Sequence, residues 1–474
     1  MAVLKPDICI IGAGAAGLAV AAGAAQMGAS VVIVERHKMG GESLHYGCIP
    51  SKSLLAAGRA HATLGEVTGF GIRVGGPNLV NYADVHQHIQ QVITDAAPTD
   101  SLERYTSLGC TVIMGRAQFI NNQTVQVGDT HIRARRFVVA TGSRPSVPNI
   151  DGLKAVPFLT NETIFNLTER PRHLVIIGGG TVGTELGQAY RNLGSDVTII
   201  TQSRLLSQED PDLTAVLRRR LESQGIRVIE NSVVQRFAGS GDNLTVDVHA
   251  DNQLESIAMS HVLVAVGRSP RISSLHPESG GIVCSPRGIK VDEYLRTTNR
   301  RVYALGDCIG APFFTHVSQY EAEVVLQNAL LGRRRGVDYT QVPRVLYTDP
   351  EIASVGLAER AARAKYKDIT VLRSGFAAAD RARTNRVTDG LMKVMVRRNG
   401  SIVGVGIVGA HAGELLLPWQ LAMANGLRAD ALAGAMVAYP TLSEISKITA
   451  AQFTASKQQG ALRRLFTRMI QVLP

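Results

Sequence analysis

Two glycine-rich turns, each set between an apolar strand and a helix, constrain this chain more than any other feature. The first follows Ile8-Cys9-Ile10-Ile11 and reads Gly12-Ala13-Gly14-Ala15-Ala16-Gly17. An Ala-rich helix and the strand Val31–Val34 come next, ending at Glu35. The three glycines answer three needs: a tight turn at Gly12, close backbone approach to a pyrophosphate at Gly14, and close helix–strand packing at Gly17. The helix N-terminus then faces the phosphates, and Glu35 stands where a carboxylate accepts from a ribose hydroxyl. Alone, the glycine pattern matches many loops; with both strands and the acid it specifies a dinucleotide site. It returns 166 residues later as Leu174–Ile177, Gly178-Gly179-Gly180-Thr181-Val182-Gly183, a helix and the strand Val197–Ile200. Two such sites imply two cofactors. Thr201 stands where an acid would follow the second strand and select a free 2′-hydroxyl; Gln202, Ser203 and Arg204 come next, and the missing acid beside an arginine tolerates a 2′-phosphate. That favours NADPH over NADH.

The rest of the chain divides around these units. Phe137-Val138-Val139-Ala140-Thr141-Gly142 closes the first, and Val262–Pro270, which contains Gly267, closes the second in the same style. Val302–Asp307 puts an acid at the end of a buried strand, the edge where ligands sit in open α/β sheets. After Pro343, alternation at Leu391–Val396 and Ser401–Val408, then helices from Ala412, predict an α+β domain. The expected domains are residues 1–150, 151–272, a return to the first at 273–343, and 344–474. The fold class is α/β: two Rossmann-like nucleotide-binding domains plus the C-terminal α+β domain.

Composition removes other classes. With 45% hydrophobic residues among 474, the chain is not disordered, and five scattered cysteines do not build a disulfide scaffold. They point instead to a reducing, cytoplasmic setting. A net charge of +11 fits an acidic partner, but no Lys/Arg run with interleaved aromatics occurs, so nucleic acid is not expected. The uncharged stretch 8–34 is broken by glycines and is not a membrane span, and no targeting segment or metal-ligand set is expected.

The segment Gly40-Gly41-Glu42-Ser43-Leu44-His45-Tyr46-Gly47-Cys48-Ile49-Pro50-Ser51-Lys52 carries the chemistry. It resembles the redox segment of the class I pyridine nucleotide-disulfide oxidoreductases, flavoproteins that include dihydrolipoamide dehydrogenase, glutathione reductase and mercuric reductase. The resemblance runs in order along essentially the whole chain. Phe314-Thr315-His316-Val317, Tyr347–Glu351 and Asp380–Arg383 are most similar to the mercuric reductase and dihydrolipoamide dehydrogenase branches. It implies FAD, with Gly12, Gly14, Gly17 and Glu35 on its ADP half, the Ala117 backbone near the adenine and Asp307 near the ribityl chain. Gly41, Lys52, Thr141, Gly142 and His316 complete that set. NAD(P)H would take Gly178, Gly180, Gly183, Arg204 and Gly267, Lys52 would pair with Glu185 beside the flavin, and the C-terminal domain would form a homodimer.

Two departures from the family pattern matter. Its two redox cysteines, separated by four residues, are here Ser43 and Cys48. Cys48 keeps the flavin-proximal place, where a helix start and Lys52 favour its thiolate. Ser43 takes the place of the interchange thiol, and a hydroxyl is no nucleophile without a base. The family's His-Pro histidine is Tyr439, while its glutamate partner is kept as Glu444. A phenol with a pKa near ~10 is a poor base at neutral pH but can donate a proton. Mercuric reductases also place a tyrosine here, yet their C-terminal cysteine pair is absent from Gln471–Pro474. Before that end, Leu462, Leu465, Phe466, Met469, Ile470 and Leu473 recur at helical spacing beside Arg463, Arg464 and Arg468. Such a helix packs on its own dimer or, alternatively, lies weakly on an anionic membrane surface.

Three readings stay open. One is a disulfide or mercuric-ion reductase whose disulfide is disabled at Ser43, by engineering or recent loss, and whose acceptor is a thiol, disulfide or metal ion. The second is a one-thiol reductase of quinones or other small direct acceptors. The third is a flavin- and nucleotide-binding redox sensor.

Overall fold

A computed structural model describes residues 2–75, 80–241, 243–250 and 253–458. The chain forms two compact units, one of residues 1–178, 192–196 and 233–338, the other of residues 179–191, 197–232 and 339–474. The expected amphipathic helix at 462–473 lies outside the described residues.

In the first unit, Val302–Ala304, Arg136–Val139, Ile8–Ile11, Val31–Glu35 and Thr111–Met114 lie side by side in that order, all parallel. A parallel sheet is covered on both faces, which is why these strands read as unbroken apolar runs. Alternation sorts their side chains. Ile8, Ile10, Ile33 and Val138 pack with the helices Ala15–Gln26 and Thr315–Ala329, whereas Cys9, Ile11, Val32 and Phe137 face Phe119, Val125 and Ile132. The same unit holds His173–Ile177, parallel to His261–Val264, which is parallel to Phe158–Leu159. An antiparallel meander, Val233–Ala238, Leu244–Ala250 and Gln253–Met259, completes it.

The second unit contains the helix Thr181–Asn192 up to residue 191, and the strand residues Thr198–Ile200 run parallel to Arg227–Ile229. Its main sheet is antiparallel, in the order Arg344–Leu346, Glu351–Gly356, Ile402–Gly409, Leu391–Arg397, Ile369–Gly375. Helices Ala412–Ala424 and Glu444–Gln458 cover one face around Trp419, whose indole N–H donates to Ser446 Oγ at 3.0 Å. Against the opposite face lies the helix Pro211–Ser223: a Cβ on Gly406 would come 2.7 Å from Leu213 Cδ1. The predicted α/β class with a C-terminal α+β domain is what the chain adopts. No described helix is long and apolar enough to cross a membrane.

Candidate active site

The loops that leave the carboxyl ends of the first unit's parallel strands line one cleft, with about 1360 Å³ of space open to solvent. Gly12, directly after Ile11, has φ +109°, and a Cβ there would lie 2.3 Å from Ala140 O. A Cβ on Gly17 would come 1.9 Å from Gly12 O. Gly41, at φ +62°, presses so close that its Cβ would lie 2.6 Å from Gly14 Cα. The segment that starts at Gly40 thus begins on top of the Gly12–Gly17 turn.

Glu35 Oε2 accepts from Ala13 N–H at 2.7 Å and its Oε1 from His37 N–H at 2.8 Å. A carboxylate has about four lone-pair positions, so capacity is left for a ribose hydroxyl. Ala117 shares one end of this region with Glu35 and Gly12. Thr141 Oγ1 lines the cleft, buried and without a partner among the described residues. An unpaired buried hydroxyl costs about 1–3 kcal/mol, which a ligand's polar atom at this place would recover. The glycine cradle, the helix start and the orphaned hydroxyl fit a dinucleotide such as FAD.

Cys48 opens the helix Cys48–Glu66, while Ser43 lies in the short helix Gly41–His45. They converge on Thr315. Cys48 Sγ is 3.6 Å from Thr315 Oγ1, and the Thr315 hydroxyl donates to Ser43 Oγ at 3.4 Å. Thr315 is absent from the sequence-based candidates, its one signal being its place beside His316. His316 itself is exposed and stacks on Phe314, ring centroids 5.2 Å apart. Of the five cysteines, Cys48 alone is exposed; Cys9, Cys110 and Cys308 are buried, and burial pushes the Cys308 thiol up to about 12.

Beside these groups lies a charged cluster of which sequence reasoning singled out Asp307 as a cofactor-site residue but not Arg268 or Arg271. Arg268 donates to Glu42 through Nη2 and to Ser143 Oγ through Nε at 2.7 Å, with Asp307 3.6 Å away. Ser143 Oγ in turn donates to Asp307. Arg271 bonds Glu162 through Nη2 and Ser143 O through Nε at 2.6 Å, and Asn161 Nδ2 donates to Glu42 Oε1 at 3.0 Å. The signal for this cluster was the echo between Ser143-Arg144-Pro145 and Arg268-Ser269-Pro270, which pair as antiparallel strands. Gly267, φ +119°, leads the chain into Arg268.

The second fingerprint has the same local form. Gly178 has φ +121°, with a Cβ there 2.3 Å from Ala265 O, and a Cβ on Gly180 would meet only open space. Gly183 is buried in the helix. Arg204 is exposed in the loop after Asp196–Ile200. An acid does approach this loop: Glu230, beyond the neighbouring strand, accepts from Leu205 N–H at 2.7 Å and pairs with Arg218. These residues fit a nucleotide.

Comparison with known proteins agrees with this geometry. Residues 6–322 match the family model described as pyridine nucleotide-disulphide oxidoreductase, and residues 342–450 match the dimerisation domain of that family. The chain belongs to the pyridine nucleotide-disulphide oxidoreductases. It is 34% identical to a mercuric reductase of Staphylococcus aureus, over 94% of this chain and 82% of that one. Identity is also 34% to a dihydrolipoyl dehydrogenase of Geobacillus stearothermophilus, over 94% and 95%. A solved structure, the Cu(II) complex of a cysteine-to-serine mutant of the HOCl-induced flavoprotein disulfide reductase RclA from Escherichia coli, superposes with a TM-score of 0.86 at 29% identity. That alignment covers 94% of this chain and 99% of RclA. The chain is accordingly an FAD-dependent NAD(P)H oxidoreductase.

The other expected site residues of this oxidoreductase are Lys52, Glu185, Tyr439 and Glu444. Lys52 belongs to the first unit and Glu185 to the second, where Glu185 Oε1 accepts from Tyr347 N–H at 2.9 Å. Tyr439 is exposed and donates its hydroxyl proton to Asp380 Oδ2 at 3.0 Å. That bond pushes the phenol above its usual range. Glu444 instead accepts from Thr441 N–H at 3.3 Å.

Proposed function

We propose that this oxidoreductase passes electrons from NADPH, through FAD, to a soft or borderline metal ion held at Cys48, with no redox disulfide taking part. The observation that carries the reading is the Ser43–Thr315–Cys48 arrangement: one exposed thiol flanked by two hydroxyls. A thiolate with nearby oxygens can ligate such an ion, whereas thiol–disulfide exchange needs a second thiol. The names of its relatives support this choice, since several are mercuric reductases and RclA was solved as a Cu(II) complex.

FAD, when bound, accepts the hydride of NADPH and supplies its two electrons to the acceptor. The chain's own residues do the rest. Gly12, Gly14 and Gly17 admit the ADP half, Glu35 accepts from its ribose, Ala117 backs the adenine, and Thr141, Gly142, Asp307 and Gly41 line the remainder. Gly178, Gly180, Gly183 and Gly267 hold NADPH, with Arg204 on its 2′-phosphate. Lys52 supplies positive charge near the isoalloxazine. Tyr439, kept protonated by Asp380, and Glu444 act from the partner subunit of a homodimer.

The test is steady-state reduction of Hg(II), Cu(II), a quinone and lipoamide by wild type and Cys48→Ser. Metal-ion reduction by wild type alone, with lipoamide inert and anaerobic bleaching of the flavin by NADPH retained in the variant, is the expected outcome. Quinone reduction without metal-ion reduction, or metal-ion rates unchanged in Cys48→Ser, would overturn it.

A further inference from the structure

We propose that the ion pair between Arg218 and Glu230 sets the choice of nicotinamide dinucleotide: Arg218 masks an acid at the root of the loop that carries Arg204, and without that mask the loop turns toward NADH. This rests on the NADPH preference proposed above and names what enforces it.

Strand register places the acid. Ile200 pairs with Ile229 at the end of two parallel strands, so Thr201 and Glu230 are the next residues out, and Thr201 N–H donates to Ile229 O at 2.9 Å. Thr201 is buried against the glycine-rich turn: a Cβ on Gly179 would lie 2.9 Å from Thr201 Cβ. From this place a carboxylate reads a free 2′-hydroxyl. Thr201 is no acid, but the neighbouring strand brings Glu230 alongside.

Both Glu230 oxygens are engaged. Oε1 accepts from Leu205 N–H at 2.7 Å, and Oε2 accepts from Arg218 Nη1. Leu205 and Leu206 are buried, and Leu206 N–H donates to Gly179 O at 2.8 Å, which seats the loop on the fingerprint. Arg204 directly precedes Leu205, so the carboxylate that would repel a 2′-phosphate also fixes the backbone on which the phosphate-binding arginine stands. The loop needs the oxygen of Glu230 but not its charge. Arg218 resolves that conflict from the helix Pro211–Ser223, where its Nε also meets Glu222 at 2.9 Å. Water screens the exposed Glu222, whereas the Glu230 side chain is only 16% exposed and depends on the guanidinium.

The sign follows from the ligands. A 2′-phosphate brings about two negative charges at neutral pH, and a free 2′-hydroxyl brings none. Loss of Arg218 leaves an ionised Glu230 that opposes the phosphate and has an oxygen open to a hydroxyl. Loss of the Glu230 charge acts the other way: a glutamine carbonyl still accepts from Leu205 N–H, and Arg218 becomes a further cation for the phosphate.

Calorimetric titration of NADP+ and NAD+ onto the full-length flavin-loaded protein tests this in wild type, Arg218→Met, Glu230→Gln and the double variant. Arg218→Met should weaken NADP+ binding by at least about tenfold and leave NAD+ binding within about threefold of wild type. Glu230→Gln should bind NADP+ at least as tightly as wild type, and adding it to Arg218→Met should recover most of the lost affinity. A purely structural pair predicts instead equal losses for both dinucleotides and no recovery in the double variant; either result, or unchanged NADP+ binding in Arg218→Met, overturns the inference. Should Arg218→Met not fold, Glu230→Gln decides, since NADP+ binding weaker than wild type in that variant also overturns it. A wild type that prefers NAD+ would count against the NADPH preference as well, whereas a wild type that prefers NADP+ by a ratio unchanged in Arg218→Met would count against the ion pair alone.

Discussion

At the scale of single residues, the proposed function turns on Ser43 and Cys48. Thr315 already bridges them, so a thiol placed at Ser43 would point toward Cys48. Ser43→Cys should raise the electrons needed for full reduction from two to four per FAD and confer lipoamide reduction, read by anaerobic dithionite titration and steady-state assay. No change in stoichiometry would mean that the two side chains cannot meet. Arg204 is the other residue with a sharp consequence. It is exposed and free of an acidic neighbour in its own sequence, while Glu230 is tied to Leu205 N–H and Arg218. Arg204→Ala should lower kcat/KM for NADPH roughly tenfold or more, the size of one charge-assisted hydrogen bond, and leave the value for NADH nearly unchanged. The glycines, Cys48 and Glu35 were legible because each is demanded by local backbone geometry or by a motif a few residues long. Thr315, Arg268 and Glu42 were not, because Thr315 meets Ser43 across 272 residues of chain and Arg268 meets Glu42 across 226.

Among the elements, the strand Leu391–Arg397 shows where pattern reading stops. Its alternation places Met392, Val394 and Val396 in the core, and Lys393 falls on the opposite face, where solvent is the usual neighbour. The start of Pro211–Ser223 covers that face instead. Lys393 is 3% exposed and binds Asp210 at 2.9 Å, Asp212 at 2.7 Å and Glu359 at 2.8 Å. Asp210 also caps the helix by accepting from Asp212 N–H. Lys393→Met would leave the buried Asp210 without its cation, while Asp212 and Glu359 keep Arg373, and should destabilise the protein by about 3–5 kcal/mol, measured by urea unfolding at pH 7. Acid should act on the same cluster. Burial would raise Glu359, but hydrogen bonds from Lys393 and Arg363 prevail and hold it down at about 2, and the Lys393 bond likewise lowers Asp212. These depressed carboxyls contribute stability above their unfolded pKa of about 4, which fades as pH falls toward about 2. In Lys393→Met the urea midpoint should fall less steeply across that range than in wild type. In the first unit, Gly17→Ala must move Gly12 O and should reduce both the melting temperature and the flavin content of purified protein.

For the whole molecule, the match to the family's dimerisation domain gives the exposed apolar side chains of the second unit a purpose. Leu417, Leu421, Leu427 and Met436 are all exposed, and Tyr439 stands beyond them in sequence. We expect a dimer of twice the 50.7 kDa chain mass by analytical ultracentrifugation, and a shift toward monomer in Leu421→Arg. An unchanged dimer in that variant would place the interface elsewhere. By itself, the sequence determined the two nucleotide fingerprints, the parallel sheet read from Ile8–Ile11 and Val31–Val34, the α+β character after Pro343 and the presence of a single redox-segment thiol. Each is written in spacing, backbone freedom or apolar period, properties of short stretches of chain. Tertiary structure alone decided that Thr315 joins Ser43 to Cys48, that Tyr439 rests on Asp380 rather than Glu444, and that Arg268 and Asp307 surround Glu42. Those side chains come from remote segments, and only the convergence of strand ends at one cleft, or the burial of one sheet face by a helix, brings their charges close enough to set one another's protonation.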